Sequence, residues 1–205
     1  FYTAAFDSTN ADKLGISPLK PLLEKINAVT DIQSLVETMA HLKVKGSGSM
    51  FSYYVYVDAR NSNQNIFYLG QGGIGLPDRD YYFPTDDRGK NILAEYEKHM
   101  VALFKLSGET EESAAQNAKN ILAIESQLAK ASLTKLQRRD PVATYNKMTV
   151  DELQKLCTIF DWNKFLQAAN ISGVTELVVD QPKYFTTLSK TLKQYSIDQW
   201  KVYLK

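Results

Sequence analysis

The sequence predicts a mainly α-helical fold that contains one β-hairpin, at about residues 51–70. Apolar residues recur at helical spacing, three or four positions apart, through most of the chain. Phe51 to Ala59 is instead aromatic and β-branched, with side chains alternating between two faces, and Ile66 to Leu69 runs back after an Asn-rich turn. Because residues 61–65 are polar and numerous, we expect a loose loop here rather than a tight two-residue turn.

Two helices are predicted before the hairpin. Ser17 and Pro18 suit the N-cap and the first position of one helix, and Asp31 suits the N-cap of the next. Each cap is followed by an apolar stripe, so the two helices should form an antiparallel pair. A stretch rich in glycine and serine, residues 46–49, then breaks the helical pattern before the first strand.

Six helices are predicted after the hairpin. A long loop rich in Gly, Pro, Asp and Tyr, residues 70–87, separates the hairpin from the first of them, and Val174 to Val179 forms a short extended segment. The apolar stripes of the helices begin near Ile92, Thr110, Thr149, Trp162, Pro182 and Ser196. A boundary is predicted around Asp140 to Asn146, which divides the chain into residues 1–140 and residues 141–205.

Composition excludes several classes of function. Lys+Arg 24 against Asp+Glu 23 gives a net charge of +1, so neither a nucleic acid nor an anionic membrane is an expected partner of the whole molecule. The longest apolar stretches are far shorter than the roughly 18 residues of a membrane-spanning helix. One cysteine and two histidines are too few for an internal disulfide or for most zinc sites.

Both ends have the appearance of cuts from a longer chain. The sequence opens at Phe1 inside a helical pattern and without a capping residue, and it stops at Lys205 shortly after a capping box begins at Ser196. We therefore expect a fragment of a larger protein.

The glycine-rich stretch Gly70 to Gly75 matches the pattern G-x-G-x-x-G literally. A dinucleotide-binding turn needs a helix N-terminus directly after the glycines, whereas Leu76 and Pro77 continue a loop here. Nucleotide binding is therefore the weakest functional hypothesis. These glycines are predicted to permit positive φ angles or close backbone packing.

Glu125 is the most informative polar residue, because helical spacing places it on the apolar, buried face of its helix. A buried carboxylate needs a partner. Two structural roles are predicted for it, an ion pair with Arg79, Arg138 or Arg139, or a hydrogen-bonded anchor for a loop. A general acid or base role would need a second titratable group in a pocket.

The remaining candidate residues are predicted to be structural. His41 and His99 lack a second imidazole at helical spacing, and Cys157 lies on an apolar helix face. The aspartates of the long loop lack the spacing of a calcium loop and are predicted to form turns and caps, namely Asp78, Asp80, Asp86 and Asp87.

From Gly70 to Tyr82 the chain resembles the neprilysin-like zinc metalloendopeptidases, the family of neprilysin and endothelin-converting enzyme. Further matches follow in the order of that family, and the resemblance extends over the whole chain. They are Arg139 to Pro141, Tyr145 to Thr149, Val178 with Val179, and Pro182 to Tyr184.

The resemblance implies an endopeptidase that cleaves short peptides in a closed cavity between two mostly helical lobes. Residues 1–140 would pack on the catalytic lobe, and residues 141–205 would begin the second lobe. In the family, zinc is bound by the histidines of H-E-x-x-H and a downstream glutamate, and the motif glutamate is the general base. None of these residues is present here, so no catalytic, cofactor-binding or metal-binding residue is assigned, and zinc is expected in the full-length parent alone.

The resulting hypothesis is a non-catalytic N-terminal part of a zinc metalloendopeptidase, which forms part of the wall of the substrate chamber and is inactive in isolation. Its partners would be the rest of its own polypeptide and, in the parent enzyme, a peptide substrate. The expected location is extracellular or periplasmic, with an intracellular one as the alternative. A stand-alone peptide-binding or protein-interaction module is the alternative function.

Overall fold

The computed structural model describes residues 2–48 and 50–205. Phe1, where the opening helical pattern is predicted to begin, and Ser49 lie outside the described residues. The described chain is mainly helical and contains a small four-stranded sheet, which confirms the predicted fold class. Within those residues no helix combines the length and the apolar character that crossing a bilayer requires.

The elements are α1 (Tyr2–Ala5), α2 (Ser8–Leu14), α3 (Lys20–Asn27), α4 (Ile32–Val44), β1 (Phe51–Asp58), β2 (Asn61–Gln71), α5 (Asp87–Leu106), α6 (Glu111–Ala131), β3 (Asn146–Thr149), α7 (Val150–Leu156), α8 (Trp162–Ala168), β4 (Glu176–Val179), α9 (Pro182–Gln194) and α10 (Ile197–Leu204). Most elements follow one another along the chain with short connections; the two long connections are residues 72–86, between β2 and α5, and residues 132–145, between α6 and β3.

Several helix starts follow capping residues that the sequence contains, but the predicted N-cap at Ser17 is wrong, because Ser17 begins a 3₁₀ turn and α3 starts at Lys20 without a side-chain cap. Asp31, Thr149 and Ser196 each form a capping box at the start of α4, α7 and α10, where helices are predicted. Helix α5 begins several residues before its apolar stripe, because the Asp86 carboxylate accepts a hydrogen bond from the Gly89 N–H at 2.8 Å. The apolar stripe of α5 therefore does not predict the first turn of the helix.

The sheet has the strand order β1-β2-β4-β3, in which β2 and β4 are parallel and the other two pairs are antiparallel. The predicted hairpin is confirmed, but its predicted loose loop is wrong. Asp58 pairs with Asn61, so Ala59 and Arg60 form a tight turn and the additional polar residues lie in an irregularity of β2. Strand β3 was not expected, because four residues of which three have polar side chains give no clear alternation.

The main core lies on one face of the sheet, beneath the helices. Its centre is a group of aromatic side chains in edge-to-face or tilted contact, with ring centroids 4.6–6.5 Å apart. These are Phe51, Phe160, Trp162, Phe165 and Phe185. The opposite face, called the outer face here, holds a smaller cluster of Ile66, Tyr68 and Val178, with Tyr145 packed against it.

Segments on both sides of residue 141 share this sheet and this core. β4 follows the predicted boundary and pairs with β2, which precedes it, and the main core contains residues from both regions. The division into residues 1–140 and 141–205 therefore stays a prediction about the lobes of a larger enzyme.

Truncation of the central aromatic cluster should destabilise the fold strongly. Phe165 is 0% exposed and lies 5.2–5.6 Å, centroid to centroid, from Phe51, Tyr53 and Trp162. Phe165→Ala should lower the free energy of unfolding in urea by about 3–5 kcal/mol, because a buried ring is replaced by a cavity. Phe6→Ala, at an exposed ring, is the control and should change it by no more than about 0.5 kcal/mol. A loss below about 1 kcal/mol for Phe165→Ala would contradict this description of the core.

Candidate functional site

The Glu125 cluster, formed by Glu125, Tyr82, Tyr96 and Gly75, joins α6 to the loop that follows the hairpin. Glu125 is 4% exposed. Its Oε1 accepts hydrogen bonds from the Gly75 N–H at 2.9 Å and the Tyr96 hydroxyl at 3.1 Å, and its Oε2 accepts one from the Tyr82 hydroxyl at 2.8 Å. The predicted loop anchor is thereby confirmed.

The predicted ion pair of Glu125 with an arginine is wrong. Among the described residues, Glu125 is hydrogen-bonded by a backbone N–H and two tyrosine hydroxyls, all of them neutral donors. Arg79 lies instead 3.8 Å from Asp80 and above the ring of Phe83. Neutral donors offset the burial of a carboxylate without burying a second charge.

The glycines of this loop are required by close packing and by backbone conformation. A Cβ on Gly75 would lie 2.0 Å from the Tyr96 hydroxyl oxygen and 3.2 Å from Glu125 Oε1, and Gly73 has a φ of +75°. The Tyr203 hydroxyl donates to the Gly73 carbonyl at 2.9 Å, and the Tyr184 hydroxyl lies 2.8 Å from the Gly72 carbonyl. Side chains from α5, α6, α9 and α10 thus hold one loop, and the structural prediction for its glycines is confirmed.

The same contacts leave little of the loop available to a phosphate group. Tyr82 donates to Glu125, and its hydroxyl oxygen accepts the N–H groups of Gly75 and Leu76, both at 3.0 Å. A phosphate-binding turn needs free N–H groups. These two are already bonded within the protein.

Burial raises the pKa of the Glu125 carboxyl above its usual value, although the hydrogen bonds from Tyr82, Tyr96 and Gly75 act in the opposite direction. Burial and the neighbouring carboxylate also raise the pKa of the Tyr82 and Tyr96 hydroxyls. Both hydroxyls therefore remain protonated at neutral pH and can keep donating to Glu125. The arrangement is that of an anchor, with each oxygen of the carboxylate engaged.

The other candidates lie apart from this cluster. His41 is on α4, His99 is exposed on α5, and Cys157 is buried, with burial raising the pKa of its thiol to about 11. Asp78 and Asp86 cap a short 3₁₀ turn and α5, as predicted for this group of aspartates.

The residues described do not fit a zinc site. Within residues 2–48 and 50–205, no group of three or more His, Cys, Asp or Glu side chains is placed to hold a metal ion. The assignment of no catalytic, cofactor-binding or metal-binding residue to this chain stays a prediction.

Two apolar surfaces are exposed to solvent. The β1 surface consists of Tyr54, Val55, Tyr56 and Val57 on the edge strand of the sheet, where Tyr56 is 68% exposed. The α3–α5 groove is a cavity of about 400 Å³ next to Lys205, lined mainly by Leu19, Leu23, Met100, Leu103, Phe104 and Ile121. The β1 side chains alternate between the two faces of the edge strand, and exposed apolar side chains gathered in this way can mark interaction sites.

A methyl group at Gly75 should disrupt the Glu125 cluster. Because the new Cβ would overlap the Tyr96 hydroxyl, Gly75→Ala should lower the free energy of unfolding by about 1–3 kcal/mol. Gly48→Ala is the matched control, since nothing lies within 4 Å of its Cβ position, and it should leave stability within about 1 kcal/mol of the wild type. Equal effects of the two substitutions in urea unfolding would show that the packing at Gly75 is loose.

The pH dependence of stability should report the buried Glu125 carboxyl. Its pKa is higher in the folded than in the unfolded state, so its contribution to stability is present below the unfolded pKa and is lost as pH rises through the folded pKa. The free energy of unfolding of the wild type, minus that of Glu125→Gln, should therefore fall between pH 4 and pH 8. Glu112→Gln, on the exposed side of the same helix, corrects for replacing a carboxylate by an amide. A difference that rises with pH would be inconsistent with this assignment.

Comparison with known proteins shows similarity along the full length of the chain. The model of peptidase family M13 matches residues 1–205. Endothelin-converting enzyme 1 of Homo sapiens is 32% identical over 203 residues, which cover 92% of this chain and 26% of that protein. This chain therefore spans about a quarter of the length of that relative.

Solved structures agree with the sequence comparison. The zinc metalloprotease Zmp1 of Mycobacterium tuberculosis, in complex with an inhibitor, superposes with a TM-score of 0.90 at 32% identity, over 97% of this chain and 30% of that one. PepO from Lactobacillus rhamnosis HN001 shares the fold, with a TM-score of 0.72 at 18% identity. Since the family model matches every residue, the resemblance found in the sequence is confirmed, and the chain belongs to peptidase family M13 as a neprilysin-like N-terminal region.

Proposed function

We propose that this region is a non-catalytic part of a zinc metalloendopeptidase and forms part of the wall of a closed chamber that admits short peptides. The proposal is supported chiefly by the Zmp1 comparison, in which 97% of this chain corresponds to 30% of a zinc metalloprotease. In such an enzyme, zinc lowers the pKa of a water molecule to about 7. The residues of this chain contribute shape and rigidity to the enclosure.

The mechanism of such a wall is exclusion by size. A chamber with rigid walls accepts flexible peptides and rejects folded proteins before any side chain of the substrate is recognised. The Glu125 cluster supports this role, because its hydrogen bonds to Gly75 and Tyr82 fix the long loop against α6. Tyr184 and Tyr203 add two further contacts to the same loop.

The partner of this region in the proposal is the rest of its own polypeptide. The β1 surface and the α3–α5 groove expose apolar side chains that water solvates poorly. The catalytic lobe would cover part of this surface, while the peptide substrate would be enclosed between the lobes. The predicted extracellular or periplasmic location, with an intracellular one as the alternative, is part of the same proposal.

A stand-alone binding module is not favoured. The similarity runs through nearly the whole chain and matches parts of much longer peptidases. A module with a separate binding role would need to keep only the residues of its binding surface, so similarity over nearly the whole chain favours the peptidase. Nucleotide binding through the glycine loop is disfavoured as well, because the N–H groups of Gly75 and Leu76 are bonded internally.

The 205-residue chain should have no peptidase activity. We expect no zinc-dependent hydrolysis of a quenched fluorescent peptide, because His41 and His99 lie on different helices and Cys157 is buried. The control is a His41→Ala/His99→Ala double variant purified in parallel, which reports contaminating peptidases. Zinc-dependent cleavage by the wild type that this double variant lacks would overturn the proposal.

A further inference from the structure

A small polar cavity lies on the outer face of the sheet, opposite the main core. It has a volume of about 280 Å³ and is called the outer cleft here; its walls include Tyr54, Tyr68, Arg138, Tyr145 and Asp180. Side-chain alternation explains why these groups meet. Tyr54 pairs with Tyr68, Tyr68 with Val178, and Asp180 continues the Val178 face, while the segment that carries Arg138 and Tyr145 lies across it.

The position of Asp180 is set by the backbone of the neighbouring strand. Its N–H donates to the Leu69 carbonyl at 2.8 Å. A Cβ on Gly70 would lie 2.8 Å from Asp180 Oδ2, so the absence of a side chain at Gly70 makes room for the carboxylate. The side chain is therefore held against the sheet at one wall of the cleft.

The Asp180 carboxylate differs from the other buried carboxylates in having no donor. It is half-buried, yet among the described residues no hydrogen bond or ion pair reaches its side chain. Glu125 receives three hydrogen bonds, and Asp58 receives three from Arg60, Gln64 and Tyr145. Because Asp180 is only half-buried and lines the cleft, its carboxylate remains accessible there to a cation or a donor.

The aromatic walls of the cleft suit a cation as well. The rings of Tyr54 and Tyr68 stack with centroids 5.3 Å apart and an angle of 5° between their planes. Nearby, the Arg60 guanidinium already lies over the Tyr145 ring, 4.3 Å from its centroid. Tyrosine faces attract guanidinium and ammonium groups through their quadrupole.

We propose that the outer cleft binds a cationic group of the guanidinium or alkylammonium class, with Asp180 as its counter-ion and tyrosine rings as its walls. A guanidinium fits both features, because it donates two parallel hydrogen bonds to a carboxylate and stacks on aromatic rings. This assignment goes beyond the proposed wall function and does not depend on it.

Arg138 is the competing cation in the cleft. It is exposed and forms no ion pair with Asp180 at 4.0 Å or less among the described residues, although its charge lowers the pKa of Asp180. Burial is the larger influence and raises the pKa of Asp180 to about 6. The carboxylate is therefore mainly ionised at pH 7. A cationic ligand can bind it by displacing the Arg138 side chain or by approaching from another side of the cleft.

Calorimetric titration of the 205-residue chain with small probes tests the assignment. Nα-acetyl-arginine amide represents a peptide side chain, n-butylammonium represents a free amine, and Nα-acetyl-citrulline amide is the uncharged control of the same shape. At least one of the two cations should bind at pH 7 with an association constant at least tenfold above that of the citrulline probe. The cation with the higher association constant shows whether the cleft prefers a peptide side chain or a free amine. Equal binding of all three probes, or binding of none, overturns the proposal.

Variants identify the residue responsible. Asp180→Asn should lower the association constant of the cation at least tenfold, whereas Asp12→Asn, which removes an exposed carboxylate outside the cleft, should leave it unchanged. Arg138→Ala should raise it severalfold, because a like charge is removed. An unchanged constant in Asp180→Asn, or a lower one in Arg138→Ala, overturns the assignment.

The pH dependence of binding gives a further readout that does not depend on any variant. The other titratable side chains that line the cleft are Tyr54, Tyr68, Tyr145 and Arg138, and burial raises the pKa of the Tyr54 and Tyr145 hydroxyls. Burial raises the pKa of Asp180 to about 6, so its ionised fraction rises between pH 5 and pH 7 and cation binding should strengthen over this range. Binding that is constant between pH 5 and pH 7 would contradict the role of Asp180.

Discussion

The burial of one carboxylate, Glu125, constrains much of the structure around it. The carboxylate sits on the apolar face of α6 and must therefore be supplied with donors that the helix itself does not possess. The donors come from the loop after the hairpin and from α5. Their convergence requires Gly75 at the closest approach and orients the 3₁₀ turn that carries Tyr82. The loop between β2 and α5 is thereby held by a few polar contacts.

Comparison of Asp58, Glu125 and Asp180 distinguishes carboxylates that are bonded within the protein from one that is free to bind a ligand. Asp58 and Glu125 are nearly inaccessible to solvent and each receives three hydrogen bonds. Hydrogen bonds, the backbone N–H of Arg60 first, lower the pKa of Asp58, whereas burial exceeds the effect of hydrogen bonds at Glu125. At Asp180 burial is not offset by any donor among the described residues, and the pKa rises to about 6. The number of hydrogen bonds that a carboxylate receives, more than its depth of burial, distinguishes a structural anchor from a carboxylate that can still bind a ligand.

Local signals in the sequence predicted most of the helices and the hairpin. The stripes of α4, α6 and α9 and the capping boxes at Thr149 and Ser196 depend on residues a few positions apart, which one sequence displays directly. The burial of Glu125 followed from the same periodicity. Strand β3 and the tight turn at Ala59 were missed, because each is determined by its partner strand rather than by its own pattern.

The partners of buried polar groups were harder to predict, since they are separated by long stretches of chain. Glu125 was expected to meet an arginine, which charge alone suggests, but Tyr82 and Tyr96 reach it through the path of the loop. Asp180 gave no signal at all, because its significance arises from Gly70 and Tyr54 on other strands.

A wall role and a binding cleft make compatible demands on this fold. The main core and the Glu125 cluster provide stiffness on the inner side of the sheet, where the aromatic rings of Phe51, Trp162 and Phe165 pack together. The outer face carries a thinner cover and a smaller cluster, so polar groups such as Asp180 and Arg138 remain within reach of solvent there. Because packing defects cost more in the dense core than under a thin cover, variation in polar side chains is better tolerated on the outer face. A fold whose inner face is restricted by packing can therefore carry the proposed charged site on its outer face without loss of the proposed enclosure.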